Sequence, residues 1–165
     1  MGLFGFLKNK ETAAGGALDL GAVADGTLVP MEKIPDEVFS QGIMGVCCGV
    51  DPADGRVYAP VDGEISQVTD TLHAVGIAAE GMELLIHAGV DTVDMKGDGF
   101  TNAVKKGQMV KKGDLLLTMD LEKVRAAEHP AVVILAVTNS DDFASVTEAA
   151  SGSVRTGDTV LTVRK

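Results

Sequence analysis

Two short motifs recur in this chain, and each sets a turn beside an alternating apolar run. AVADGTLV at Ala22–Val29 is echoed by APVDGEIS at Ala59–Ser66, with Asp-Gly ahead of a strand in both. VKKGDLLLTM at Val110–Met119 is echoed by VRTGDTVLTV at Val154–Val163, with Gly-Asp as the turn. Such dipeptides between period-two runs mark strand–turn–strand units. Two copies at unequal spacing are too few for a solenoid, so the pattern predicts related β units packed face to face. Aromatic residues make up only 4% of the chain while glycines number 20, which suits short strands joined by tight turns. We therefore expect an all-β fold, an antiparallel β-sandwich, barrel-like, with a few short helical turns.

A chain of 165 residues with 45% hydrophobic content forms one domain with a substantial core. Residues 1–17 read as a flexible tail, in which Leu3, Phe4, Phe6 and Leu7 followed by Lys8 and Lys10 make an amphipathic face able to touch a membrane weakly. Residues 18–165 read as the single folded domain. Within it, MEKIPDEVFSQG at Met31–Gly42 breaks the strand pattern at Pro35 and predicts a turn or single helical turn exposing Asp36 and Phe39. Thr101 is a candidate N-cap for a helix over Asn102–Lys106. Leu121–Glu128 is a second candidate helix, ended by the restriction that Pro130 places on His129. A third short turn is expected in Asp141–Ala150. The β-branched run Ala131–Val137 reads as a central strand.

The formal charge of −10 argues against nucleic acid and favours a protein partner with a basic docking face. The only cysteines, Cys47 and Cys48, are adjacent and read as small buried hydrophobes of a reduced protein. No stretch reaches the ~18 apolar residues of a membrane span, and the apolar start is too short for a signal peptide. A cytoplasmic location is expected.

Two of the three histidines, His73 and His87, lie either side of Glu80-Gly81 in runs that read as strand. A three-residue loop Ala79-Glu80-Gly81 with Gly81 left-handed pairs Ala78 with Met82 and sets His73 directly opposite His87. Opposed residues share a face with Cβ atoms about 4.5–5.5 Å apart, so both imidazoles can act on one group. Val75 then faces Leu85, Ile77 faces Glu83 and Thr71 faces Gly89, which makes the site shallow. The structural reading is a pair of packed core histidines. The first chemical reading is phosphoryl transfer, one imidazole as nucleophile and the other stabilising the phosphoryl oxygens, with Thr71 orienting the latter. The second is a zinc hydrolase of His73, His87 and Asp91, which lacks an HExxH pair and an evident general base. A third takes Asp94-Met95-Lys96 as a lipoyl-type attachment turn, against a solvated turn lysine. His129 reads as a helix-end residue.

ELLIHAGVDTVDMKGDGF at Glu83–Phe100 resembles the active-site signature of the glucose-type enzyme IIA components of the bacterial phosphoenolpyruvate-dependent sugar phosphotransferase system. APVDGEI, the Thr71-x-His73 segment, the VKKGD opening and PDEVF at Pro35–Phe39 are similar to the family too, so the resemblance spans Leu18–Arg164. It implies an antiparallel β-sandwich with short helices and a protein-histidine phosphotransferase activity that needs no cofactor. It implies that His87 accepts phosphate from the carrier HPr as a tele-phosphohistidine and passes it to the cysteine of a IIB domain. By the same resemblance His73 hydrogen-bonds the phosphoryl group and Thr71 orients His73. Asp36 and Asp91 flank the docking face, where an arginine of the carrier pairs with them, and Phe39, Ile43 and Leu85 are its apolar positions. No intrinsic metal is implied, although zinc bridging His73 and His87 in a regulatory complex is similar to family behaviour. The alternative function is a regulatory module that docks on transporters or metabolic enzymes without transfer.

Overall fold

The computed structural model describes residues 16–165. The amphipathic tail reading therefore falls on residues that lie outside the described ones. Fourteen strands follow: β1 Ala17–Gly21, β2 Gly26–Val29, β3 Val46–Pro52, β4 Arg56–Tyr58, β5 Gly63–Val68, β6 Ala74–Ala79, β7 Met82–Ala88, β8 Phe100–Asn102, β9 Met109–Val110, β10 Leu115–Met119, β11 Val133–Val137, β12 Ser145–Glu148, β13 Ser153–Val154 and β14 Thr159–Arg164. Among the described residues the helical elements are α1 Glu37–Ser40, α2 Leu121–Ala126 and the 3-10 turns Met31–Lys33, Thr92–Met95 and Ser140–Asp142. The sheets are an eight-stranded one in the order β9-β5-β6-β7-β11-β3-β2-β13 and two three-stranded ones, β4-β10-β8 and β12-β14-β1. Their ladders are antiparallel throughout.

The recurring motifs make matching bonds. Ala22 N donates to Asp158 O (2.7 Å) and Gly157 N to Ala22 O (3.1 Å); in the other copy Ala59 N donates to Asp114 O (2.8 Å) and Gly113 N to Ala59 O (2.9 Å). Asp25 Oδ1 accepts from Thr156 N as Asp62 Oδ1 accepts from Lys112 N. Each Asp-Gly turn is thus pinned by the Gly-Asp turn of its own unit, which fixes how the small sheets close over the large one.

β11 explains the continuous apolar run VILAV, since it lies between β7 and β3 and is buried on both faces. Val133, Leu135 and Val137 enter the main core between the sheets. Ile134 and Ala136 join a smaller cluster with Ile34, Phe39, Cys47, Val90 and Val132 on the outer face. Cys47 and Cys48 divide the same way, and burial pushes both thiols up to about 12, so neither is a ready thiolate. The 31–45 segment caps the outer cluster. Asp36 caps α1 by accepting from Val38 N at 2.8 Å.

Several expectations need correction. Residues 100–102 form β8 rather than the cap and start of a helix, because Thr101 is drawn into the ladder opposite Thr118. Ser140–Asp142 is the only helical turn of the 141–150 stretch, which continues as β12. Phe39 is 5% exposed, not solvent-facing, because α1 turns it onto the outer cluster. The hairpin loop has two residues, with Ala79 paired to Met82 and Glu80 (φ 52) and Gly81 (φ 82) both left-handed. The expected register would have set Glu83 beside Ile77 on the core face. The observed one pairs Ile77 with Leu84 and Val75 with Ile86 and leaves Glu83 exposed.

Candidate functional site

His87 stands on β7, and its ladder partners Ala74 and Ile134 assign it to the outer face. Phe39 lies beneath it, ring centroids 5.3 Å apart. His87 Nδ1 donates to Gly89 O at 2.8 Å, since a carbonyl can only accept. The lone pair is thereby left on Nε2. That bond depends on the turn after β7. Gly89 has φ 81, and a Cβ there would overlap the Thr92 Cγ2 methyl. Thr92 is fully buried and donates to Ala88 O at 2.6 Å, tying the 3-10 turn Thr92–Met95 to the strand end.

The true register places Ala88, not His87, across from His73, and Ala88 N donates to His73 O at 2.8 Å. Strict alternation would send His73 toward the core with Ala88. It does not go there, because the chain bends before β6 at Leu72, whose φ is 63. The bend brings the two rings together edge to face with centroids 4.7 Å apart. Thr71 Oγ1 lies 2.7 Å from His73 Nδ1. His73 is only 5% exposed and His87 half-buried, so the site is more enclosed than the expected shallow patch.

Burial followed by the neighbouring His87 lowers the His73 pKa to about 4, opposed by the Thr71 backbone carbonyl. Burial also lowers that of His87, opposed by the Gly89 carbonyl and by the charges of Asp36 and Asp91. Both rings are neutral at pH 7, as a nitrogen nucleophile requires.

Asp36 and Asp91 flank His87 closely enough to act on its charge, Asp36 half-buried and Asp91 exposed in a left-handed conformation. Ile43 is 67% exposed and Leu85 half-buried on the outer face. A groove of about 510 Å³ runs beside the histidines along β5, β6 and β7, lined by Met44, Thr69, Ala74, Gly76, Ala78 and Leu85. Val38 and Val93 are exposed on the two segments flanking His87. The apolar positions of PDEVF and DTVD were the available signal for them. The Gly89 carbonyl and Thr92 left no side-chain pattern of their own. Among the described residues no three His, Cys, Asp or Glu side chains converge as a metal site, so Asp91 does not complete a three-ligand zinc set. Lys96 is an exposed left-handed residue, and His129 follows α2 with its N–H donating to Val124 O.

An antiparallel β-sandwich thus carries two imidazoles in contact, one with Nδ1 bonded to a carbonyl, and two carboxylates beside them. Residues 18–143 match the family described as phosphoenolpyruvate-dependent sugar phosphotransferase system, EIIA 1. The chain is 44% identical to the PTS system glucose-specific EIIA component of Halalkalibacterium halodurans over 99% of this chain and 96% of that one. It is 43% identical to the glucose-specific EIICBA component of Streptococcus pneumoniae over 81% of this chain but only 18% of that longer protein. The solved glucose permease IIA from Mycoplasma capricolum superposes with a TM-score of 0.79 at 31% identity, covering 88% of this chain and 95% of the other. The chain belongs to the EIIA family of the sugar phosphotransferase system, and the family is one of phosphotransferases. No helix among the described residues is long and apolar enough to cross a membrane.

Proposed function

We propose that the protein is a cytoplasmic phosphocarrier that takes a phosphoryl group from phospho-HPr onto His87 Nε2 and hands it to the cysteine of a IIB domain. The observation that carries this reading is the Nδ1–H···O bond to Gly89, which leaves Nε2 as the nucleophilic nitrogen. In acceptance, the Nε2 lone pair attacks phosphorus and an N–P bond forms. The N–P bond of the donor breaks, and its electron pair returns to the donor imidazole. The positive charge that develops on the His87 ring is stabilised by the Gly89 carbonyl at Nδ1. At the 2.7 Å contact between Thr71 Oγ1 and His73 Nδ1 we assign the hydroxyl as donor, which puts the His73 proton on Nε2, where it hydrogen-bonds a phosphoryl oxygen. In onward transfer a thiolate attacks the same phosphorus and the pair returns to His87 Nε2.

Asp36 and Asp91 pair with basic groups of the donor, while Ile43, Leu85 and Phe39 give its apolar surface a seat or a support. A IIB acceptor is supported by the EIICBA and EIIBCA relatives, whose names join the A unit to B and C units. The test is incubation with phosphoenolpyruvate, enzyme I and HPr, followed by mass spectrometry for acid-labile phosphate. Label on His87, abolished by His87→Gln, is expected; label retained at a histidine in His87→Gln would sink the assignment. Normal partner binding without any label would favour the regulatory docking module.

A further inference from the structure

The His73 turn is held from outside its own hairpin. Leu72 carries a γ-branched side chain in the left-handed region, φ 63, a conformation that such residues rarely adopt unaided. Within the turn its N–H donates to Thr69 O at 3.0 Å, and two contacts from outside the hairpin add to that. Its side chain packs against the main core, and its carbonyl accepts from Asn102 Nδ2 at 3.1 Å. Asn102 sits thirty positions downstream at the end of β8, in the small β4-β10-β8 sheet, and β8 is locked to β10 by the pairing of Asn102 with Leu117.

The other end of the same amide points to what it does. Asn102 Oδ1 is shut off from solvent and has no hydrogen-bond partner. A buried acceptor left unpaired is costly, and turning the amide over would set two oxygens against each other at Leu72. The side chain therefore stays in an unfavourable setting for the sake of the one bond its NH2 makes. That bond ends on the residue between Thr71 and His73, whose own contact sets the His73 ring at 2.7 Å.

We propose that Asn102 is a positioning residue for His73: through the Leu72 carbonyl it holds the left-handed turn that aims the second imidazole at the phosphoryl group on His87. The inference rests on the assignment of His73 as phosphoryl stabiliser, but its first readout does not involve phosphate. With the bond removed, Leu72 relaxes toward an extended conformation. Thr71 Oγ1 and His73 Nδ1 then separate, and the His73 ring exchanges between tautomers, while His87 keeps its own bond to Gly89.

The experiment uses the full chain with Asn102→Ala and Asn102→Asp, the latter nearly isosteric and, at about pH 8, an acceptor facing the Leu72 carbonyl. Long-range proton–nitrogen NMR of the unphosphorylated protein reads both ring nitrogens of each histidine. In both variants the two His73 nitrogen shifts are expected to move toward each other while those of His87 stay in place. Acceptance from phospho-HPr then stays within about twofold and transfer to IIB falls about tenfold. Unchanged His73 shifts in the folded variants overturn the proposal. So do equal movements of both histidines, which would mark general loosening. Asn102→Asp covers the case in which Asn102→Ala does not fold. If the wild-type chain takes no phosphate at all, the transfer reading fails while the NMR result still decides the role of Asn102.

Discussion

The ring of His73 meets the ring of His87 edge-on at 4.7 Å, although the residue directly across the hairpin from His87 is Ala74. Contact between the imidazoles is therefore made by a bend and not by the ladder, and what maintains the bend matters to the chemistry. Thr71 is the nearest support. Thr71→Val keeps the shape and removes the hydroxyl 2.7 Å from His73 Nδ1. It is expected to leave acceptance by His87 nearly intact and to slow onward transfer by about tenfold, or ~1.4 kcal/mol of transition-state stabilisation. Single-turnover transfer from the labelled variant to IIB measures this, and an unchanged rate would remove Thr71 from the mechanism.

Gly89 supports the other histidine. Alanine at φ 81 costs about 1–2 kcal/mol in backbone strain, and its Cβ would run into the buried Thr92 methyl. Relief of that overlap moves the carbonyl that accepts from His87 Nδ1. Gly89→Ala is expected to lose about 2–4 kcal/mol of stability and to slow phosphoryl acceptance even where the protein is folded. Urea denaturation together with labelling by phospho-HPr separates the two effects.

What could be read in advance follows the physics of each signal. The strands of the recurring motifs and the buried β11 were legible because period-two alternation and a continuous β-branched run report burial directly. The two histidines and Thr71 were legible as a group from proximity to one hairpin. Their relation to the ladder was misread because Glu80 takes a left-handed conformation (φ 52) that favours Gly, Asn or Asp, and a one-residue slip exchanges the faces. Glu83 carried the correction, since a charge opposite Ile77 belongs to solvent. Asn102 was read as the first residue of a helix capped by Thr101. No local pattern could reveal its bond to Leu72, which joins the end of β8 to the bend before β6, thirty positions away.

Stability should fall in mild acid because of the paired imidazoles. An unfolded histidine titrates near 6.5, whereas folded His73 titrates at about 4 and His87 also lies below its usual value. Between about pH 6.5 and 4 the unfolded chain binds more protons than the folded one, so the unfolding free energy rises with pH across that window and is level above it. His73 alone contributes up to about 3 kcal/mol of loss at the acid end. Denaturation midpoints of the wild type and His73→Gln between pH 7 and 4.5 test this. The variant should show the shallower slope, and parallel slopes would contradict it.

Asp36 and Asp91 can be tested for docking apart from any structural part they play. Asp36 caps α1 through its side-chain oxygen, and asparagine caps equally well, so Asp36→Asn removes the charge and keeps the helix. Asp91 makes no side-chain capping bond at its 3-10 turn, so Asp91→Asn is also expected to be structurally quiet. Both carboxylates raise the His87 pKa against the larger effect of burial. Neutralising them lowers it further, which leaves the ring unprotonated at pH 7 as before. The nucleophile is therefore unaffected while the attraction for a basic donor surface weakens. We expect KM for phospho-HPr to rise about three- to tenfold in the double variant with kcat within about twofold. The salt dependence of kcat/KM should flatten as the field that steers encounter is lost. A fall in kcat at unchanged KM would instead place the carboxylates in the transfer step itself.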